Sequence, residues 1–194
     1  MRHAIPTQNS FLYLATVLLI GLSSCLPSFV ADTSFDGTVD FQVYHTFALV
    51  EPTAAGSSAD PTQFEPLFDR RVRDAVAAEL VKKGLKPDAQ DPDLLVAYDL
   101  AVAQAPAAAA ESPDFGYSYW YGYRFNYNTT DFPNYRPIGR YPVGTMFIDL
   151  IDATSNELVW RGIVAGDIDA KQTEESKIRR AIAAMLAQYP PGTM

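Results

Sequence analysis

The stretch GTMFIDLIDATSNELVWRGIVAGDI, residues 144–168, constrains the fold more than any other part of the chain. Apolar residues alternate with polar or small ones along both arms, and a run of Asp, Ala, Thr, Ser and Asn separates them. Two alternating arms about such a turn read as a β-hairpin. If Leu150 pairs with Trp160, Asp149 falls opposite Arg161, and an ion pair sits on the face turned away from the core. That outward face also carries Phe147, Ile151, Val159 and Ile163, and is too apolar for bare water. A lone hairpin is marginal in water, so the rest of the chain has to supply layers against it.

Two helical stretches supply one layer. From Pro66 to Lys83, Phe68, Val72, Val76 and Leu80 fall four apart as one apolar stripe, widened by Ala75. Asp69 near the start and Lys82-Lys83 near the end suit the helix dipole, and Gly84 stands where a left-handed cap belongs. The second helix runs from Thr173 to Tyr189. Ile178, Ile182, Met185 and Tyr189 are its buried stripe, with Ala181 and Leu186 beside it and Pro190-Pro191 as its stop. Two further strands are expected. In FQVYHTFALV, 41–50, Phe41, Val43, Phe47 and Leu49 share a face, with His45 between them. DLLVAYDLAVA, 93–103, is apolar enough for the sheet interior. EPTAAGSSADPTQ after the first strand and QAPAAAAESPD after the second are loop and low-complexity linker by composition. The order β-α-β-β-β-α predicts an α+β fold, a two-layer sandwich of a mainly antiparallel sheet with both helices on one face.

The chain starts Met1-Arg2-His3, runs polar to Ser10, and then holds an uncharged apolar block, Phe11 to Ile20, closed by Gly21, Ser23 and Ser24. These are the three parts of a secretory signal peptide. A membrane span needs about 20 apolar residues, so the block is too short to persist as one. Leu22-Ser23-Ser24-Cys25 resembles the bacterial lipobox, in which a peptidase cuts just before the cysteine and the thiol carries a diacylglyceryl group as a thioether. Acylation of the new amino terminus as well gives the two or more chains that stable anchoring requires. An ordinary cut after Ala31 would put bulky Phe29 where a small residue is wanted. The expected layout is a lipoprotein signal peptide over 1–24, lipidated Cys25 and a tether over 25–38, and a single domain over 39–191. Leu26 stands where an aspartate commonly retains lipoproteins in the inner membrane of two-membrane bacteria. The expected address is therefore the outer membrane, with the domain facing the periplasm.

Removing the 24 signal residues from 194 leaves 170, a size for one domain. Arg2 leaves with them and no acid does, so the net charge moves from −8 to −9. A chain this acidic is a poor match for nucleic acid, which is held by Lys and Arg. With one cysteine in all, no disulfide forms within the chain, and stability has to come from packing.

FQVYHTFALVEP, PLFDRRVRDAVAAELVKKGLKPDAQDPDLLVAYDLAV and YPVGTMFIDLIDATSNELVWRG, in that order, resemble the bacterial lipoproteins grouped as domain-of-unknown-function family 4136. The likeness covers most of Phe41 to Pro190, and IDLIDATSNELVWRG is its most telling piece. It implies an envelope lipoprotein of the same α+β fold. It brings no activity and no catalytic residues.

Residues 115–141, FGYSYWYGYRFNYNTTDFPNYRPIGRY, concentrate aromatic rings with Arg124, Arg136 and Arg140 among them. Tyr, Trp and Arg dominate binding hot spots, and a Tyr or Trp ring joins an apolar face to a polar tip. Tyr119, Trp120, Tyr121, Tyr123, Arg124 and Tyr127 are the candidate binding surface, for a glycan, an envelope protein or a lipid headgroup layer. The alternation of Tyr119, Tyr121, Tyr123, Phe125 and Tyr127 equally suits a strand laid over the outward face of the hairpin.

Catalytic chemistry has little to draw on. His45 is the one histidine after the signal and Cys25 the one thiol, which excludes Cys/His zinc clusters. Asp88, Asp91 and Asp93 lack calcium-loop spacing and read as a solvated turn. We expect no catalytic residues, no metal and no cofactor. The expected function is that of a non-enzymatic lipoprotein, anchored through Cys25, that binds or braces another envelope component. A peptidoglycan- or glycan-binding module is the alternative, and an envelope hydrolase the next.

Overall fold

The computed structural model of the chain describes residues 29–50, 65–102, 117–118, 127–166 and 168–192. In chain order they form β1 (Ala31–Phe35), β2 (Thr46–Leu49), α1 (Pro66–Lys82), β3 (Lys86–Pro87) and β4 (Leu94–Val102). β5 (Tyr117–Ser118), β6 (Thr145–Asp152), β7 (Leu158–Ala165) and α2 (Glu175–Leu186) follow. The α+β class holds, with two helices and an open sheet in the order β1-β7-β6-β4-β2-β3, and β5 paired to β4 off this path. The sheet is mixed, so the mainly antiparallel expectation is met only in part. β1, β7, β6 and β4 pair antiparallel in turn, whereas β2 runs parallel to both β4 and β3. A helix between β2 and β4 returns the chain to the same end of the sheet, and that connection permits parallel pairing.

Helix α1 buries Phe68, Val72, Ala75, Val76 and Leu80, the expected stripe. Pro66 opens it, where a missing N–H costs nothing. Its end is a Schellman motif. Gly84, at φ +96°, donates its N–H to the Val81 carbonyl, and Leu85 donates to Leu80. Leu85 is buried beside that turn. Helix α2 buries Ile178, Ala181, Ile182, Met185 and Leu186, and Tyr189 just past its end is also buried.

Two expectations near the amino end are corrected. The segment 25–38 was expected as a tether, yet Ala31–Phe35 is an edge strand paired with β7 from Ala31↔Val164 to Phe35↔Trp160. Its sequence, ADTSF, has no clear alternation; backbone pairing makes the strand. The outer edge is partly blocked, because Gln188 Nε2 donates to the Ala31 carbonyl and Thr33 Oγ1 donates to Gln188 Oε1. The strand expected over 41–50 begins at Thr46. Asp40 accepts a hydrogen bond from the Gln42 N–H and caps a single 3-10 turn over Phe41–Val43, a local competitor of extended backbone. Phe41 is buried there, but Val43 and His45 are exposed rather than on a strand face.

The helix-facing side of the sheet consists of Leu94, Val96, Tyr98 and Leu100 of β4, Met146, Ile148 and Leu150 of β6, and Trp160 and Val164 of β7. Both helices share one hydrophobic core with these residues. Leu150 pairs with Trp160 and Asp149 with Arg161, the expected register. A bulge follows, with Ile151 pairing Leu158, and it moves Val159 from the expected outward face into the helix-side core. Gly162 allows the Trp160 ring to lie flat over the strand, since a Cβ there would stand 2.5 Å from Trp160 Cη2. Trp160 and Tyr189 meet edge to face at 5.8 Å. Neither the Trp160 Nε1 nor the Tyr189 hydroxyl has a hydrogen-bond partner among the described residues.

Candidate functional site

On the other face of the sheet, the pairings Ala97↔Asp149 and Asp149↔Arg161 put an acid and a base at its centre. Arg161 grips Asp149 with two parallel bonds, Nε to Oδ1 and Nη2 to Oδ2, each 2.7 Å. Both side chains are only 2% exposed. The Tyr127 hydroxyl donates to Asp149 Oδ2, and Arg161 Nη1 donates to the Arg136 carbonyl at 3.1 Å. The guanidinium also stacks over the Tyr135 ring, 4.6 Å from its centroid. Burial alone would lower the Arg161 pKa, but the Asp149 charge and its hydrogen bonds outweigh burial and hold the guanidinium charged.

Residues 127–141 bury this pair. Asn128 accepts from Leu158 N–H and donates to the Asn156 carbonyl, which fixes the segment beside the hairpin turn. Tyr127, Phe132 and Tyr135 pack with Ile151 and Leu158, while Ile138 and Tyr141 pack with Ala101, Phe147 and Ile163. The carboxy-terminal half of the aromatic stretch thus covers the outward face, as one of the two expectations had it. Asp99 is buried on this face, diagonal to Asp149 because it pairs with Phe147, and its Oδ1 accepts from Leu100 N–H. With both Asp149 oxygens engaged and the pair sealed from solvent, these groups act as a clamp on the covering segment.

Of the candidate binding residues, Tyr127 is therefore buried in the clamp. Tyr119, Trp120, Tyr121, Tyr123 and Arg124 lie outside the described residues, as does Cys25. The other acidic cluster is structural. Asp88 Oδ1 accepts from the Gln90 and Asp91 N–H groups, the expected turn. Asp93 Oδ2 accepts from His45 and Thr46 N–H, and Thr46 Oγ1 accepts from Asp93 N–H, so β2 is stapled to β4. The His45 N–H, ahead of the opposing effect of burial, is the main cause that lowers the Asp93 pKa. Asp152 caps the β6–β7 turn through Thr154 and Ser155 N–H and takes the Tyr44 hydroxyl at 2.8 Å. Burial would raise its pKa, but these donors outweigh burial and lower it.

Among the described residues, no group of three His, Cys, Asp or Glu side chains is placed to hold a metal ion. Likewise no described helix is long and apolar enough to cross a membrane. An open groove of about 260 Å³ lies between the helices, lined by Ala75, Glu79, Lys82, Arg179, Arg180 and Ala183 among others. Its one carboxylate, Glu79, is paired with Lys82 at 2.6 Å. Sequence reasoning missed the roles of Asp99, Tyr135 and the Arg136 carbonyl. The clamp's one sequence signal was the register that set Asp149 against Arg161.

The family described as Domain of unknown function (DUF4136) matches residues 31–191, a span that takes in β1. A DUF4136 family protein from Bacteroides thetaiotaomicron VPI-5482 superposes with a TM-score of 0.51 at 18% identity, over 84% of this chain and 95% of that one. A PDZ domain protein from Parabacteroides distasonis ATCC 8503 superposes at 0.52, also at 18% identity, over 86% of this chain. This chain spans 36% of that protein's length. At these identities the likeness is one of fold. No match was found among the curated proteins.

Proposed function

The chain belongs to the DUF4136 family, and from that premise we propose a non-enzymatic lipoprotein of the outer membrane, facing the periplasm, that binds or braces another envelope component. The observation that carries this reading is the spacing at the amino end. Cys25 closes a lipobox-like run, and Phe29, four positions later, already packs against the core. A thiol just ahead of the fold serves as an anchor without disturbing packing. Anchoring confines the domain to a thin layer and raises its effective concentration for partners there. The clamp's carboxylate and guanidinium are engaged and buried, so the proposed binding role falls to other parts of the surface.

Photo-crosslinking in cells tests the binding role, with a photoreactive residue placed in turn at Tyr119, Tyr123 and Tyr127. Discrete heavier bands from the first two positions and none from buried Tyr127 are expected. Crosslinks confined to the chain at all three positions would remove the aromatic segment as a docking surface. Retention on purified sacculi that is lost when Tyr119, Trp120 and Tyr121 become Ala would instead favour the glycan-binding alternative.

A further inference from the structure

We infer that one end of the sheet rests on the bilayer, with the turn from Arg140 to Val143 and the residue Val30 in the headgroup layer. This rests on lipidation of Cys25. Phe29 is packed onto the fold, its ring lying where a Cβ on Gly166 would stand 2.9 Å from it. It stands four positions after Cys25, and four residue steps of fully extended chain reach at most about 14 Å. The headgroup layer is itself roughly 5–8 Å deep on each side of the bilayer. The domain therefore has no long leash, and the surface around Phe29 and Gly166 is held close to the lipid.

The sheet topology identifies what else shares that end. Ala31 pairs with Val164 and Met146 with the same Val164, so the start of β1, the end of β7 and the start of β6 are level. Gly144 donates to the Ala101 carbonyl, which adds the end of β4. The turn before β6 protrudes here, with Arg136 and Arg140 exposed, Tyr141 half-buried, and Val143 40% exposed. Val30, 85% exposed, lies across β7 from it. Arg136 stacks on Tyr141 at 4.7 Å and donates to the Arg140 carbonyl, which makes the turn one packed unit.

Exposed apolar residues occur elsewhere, at Val43, Leu67 and Val81. The leash end joins them to an aromatic ring and two arginines, the residue types that belong at a membrane–water interface. In a mature chain of net charge −9, this basic pair is what an anionic lipid surface would attract. Among the described residues, the exposed acids at this end are Asp32, beside Val30, and Asp169, whose Oδ1 accepts from Lys171 N–H without losing its charge. Both oppose the attraction of the two arginines, and the test isolates the share of Arg140. The occupant of this surface is phospholipid headgroup.

The test uses the full lipidated chain in vesicles of phosphatidylethanolamine and phosphatidylglycerol. Because Cys25 is consumed as a thioether, Val143→Cys, Val30→Cys or Val81→Cys each gives one free thiol for an environment-sensitive fluorophore. Val81 lies near the end of α1, beside the β3–β2 pairing at the opposite end of the sheet. Blue-shifted emission and quenching by a headgroup-labelled lipid are expected at Val143 and Val30, and neither at Val81. Adding Arg140→Gln should lower the docked fraction at Val143 about fivefold relative to the undocked one. Flotation with the vesicles reads the anchor separately. A chain that does not float overturns the lipoprotein reading and this inference with it. One that floats while Val143 and Val30 respond no more than Val81 overturns the docking alone.

Discussion

Replacing Asp149 by Asn removes a charge and almost no volume, and so isolates the ionic contribution of the clamp. Arg161 would keep its bond to the Arg136 carbonyl and its stacking on Tyr135, yet remain 2% exposed without a counter-charge. It has no escape by deprotonation, because guanidinium stays charged in proteins. Removing one partner of a buried pair costs about 3–5 kcal/mol. That is a large share of the roughly 5–15 kcal/mol that holds a domain together. Urea denaturation of the mature chain carrying Cys25→Ser is the assay. With an m-value of about 2 kcal/mol/M, the midpoint should fall by about 2 M. The companion variant Asp149→Leu with Arg161→Met and Tyr127→Phe removes the polar side chains that meet in the clamp, leaving only the Arg136 carbonyl without its donor, and should recover most of that loss. A midpoint shift below about 0.5 M for Asp149→Asn would refute the reasoning, since it would mean that water reaches the pair and relieves the stranded charge.

Other variants probe the packing and the acid limb. Gly162→Ala drives a methyl into Trp160 and Met185, with approaches of 2.5 Å and 3.0 Å, and should cost about 1–3 kcal/mol in a thermal melt. Gly84→Ala meets no atom within 4 Å, so its cost is left-handed backbone strain alone, about 1–2 kcal/mol by the same melt. Burial pushes the Tyr189 phenol up to about 12, and its hydroxyl has no partner among the described residues. Tyr189→Phe should therefore be neutral or stabilising by up to about 1–3 kcal/mol, and a clear loss of stability would reveal an ordered acceptor at the hydroxyl. Asp93 and Asp152 both have folded pKa values below the ordinary carboxylate range. Their stabilisation is complete above the unfolded value of about 3.9 and is lost as pH falls through the lower folded values. Asp93→Asn should flatten stability against pH over that acid window; an unchanged acid slope would mean that the staple to β2 contributes nothing.

What could be known from the residues alone was whatever local periodicity encodes. Side chains alternate along a strand, so a one-residue slip would have turned the whole hairpin inside out, and the pairing of Leu150 with Trp160 followed. The helix stripes and the Gly84 cap were equally local. By contrast, β1 exists because β7 offers ADTSF a row of backbone partners, and no side-chain pattern announces it. The parallel seating of β2 depends on Asp93 reaching Thr46 and His45 across 47 and 48 positions. Half of the candidate site was legible in the same way. Tyr127 stood out as an aromatic and Asp149 as the partner of Arg161, but nothing local joins residues 22 positions apart. That the aromatic stretch covers the hairpin was one reading of its residues, but only the folded chain shows that residues 127–141 do so and that they bury the Asp149–Arg161 pair. Patterning records which way a side chain points; what arrives to cover it depends on chain paths set far away.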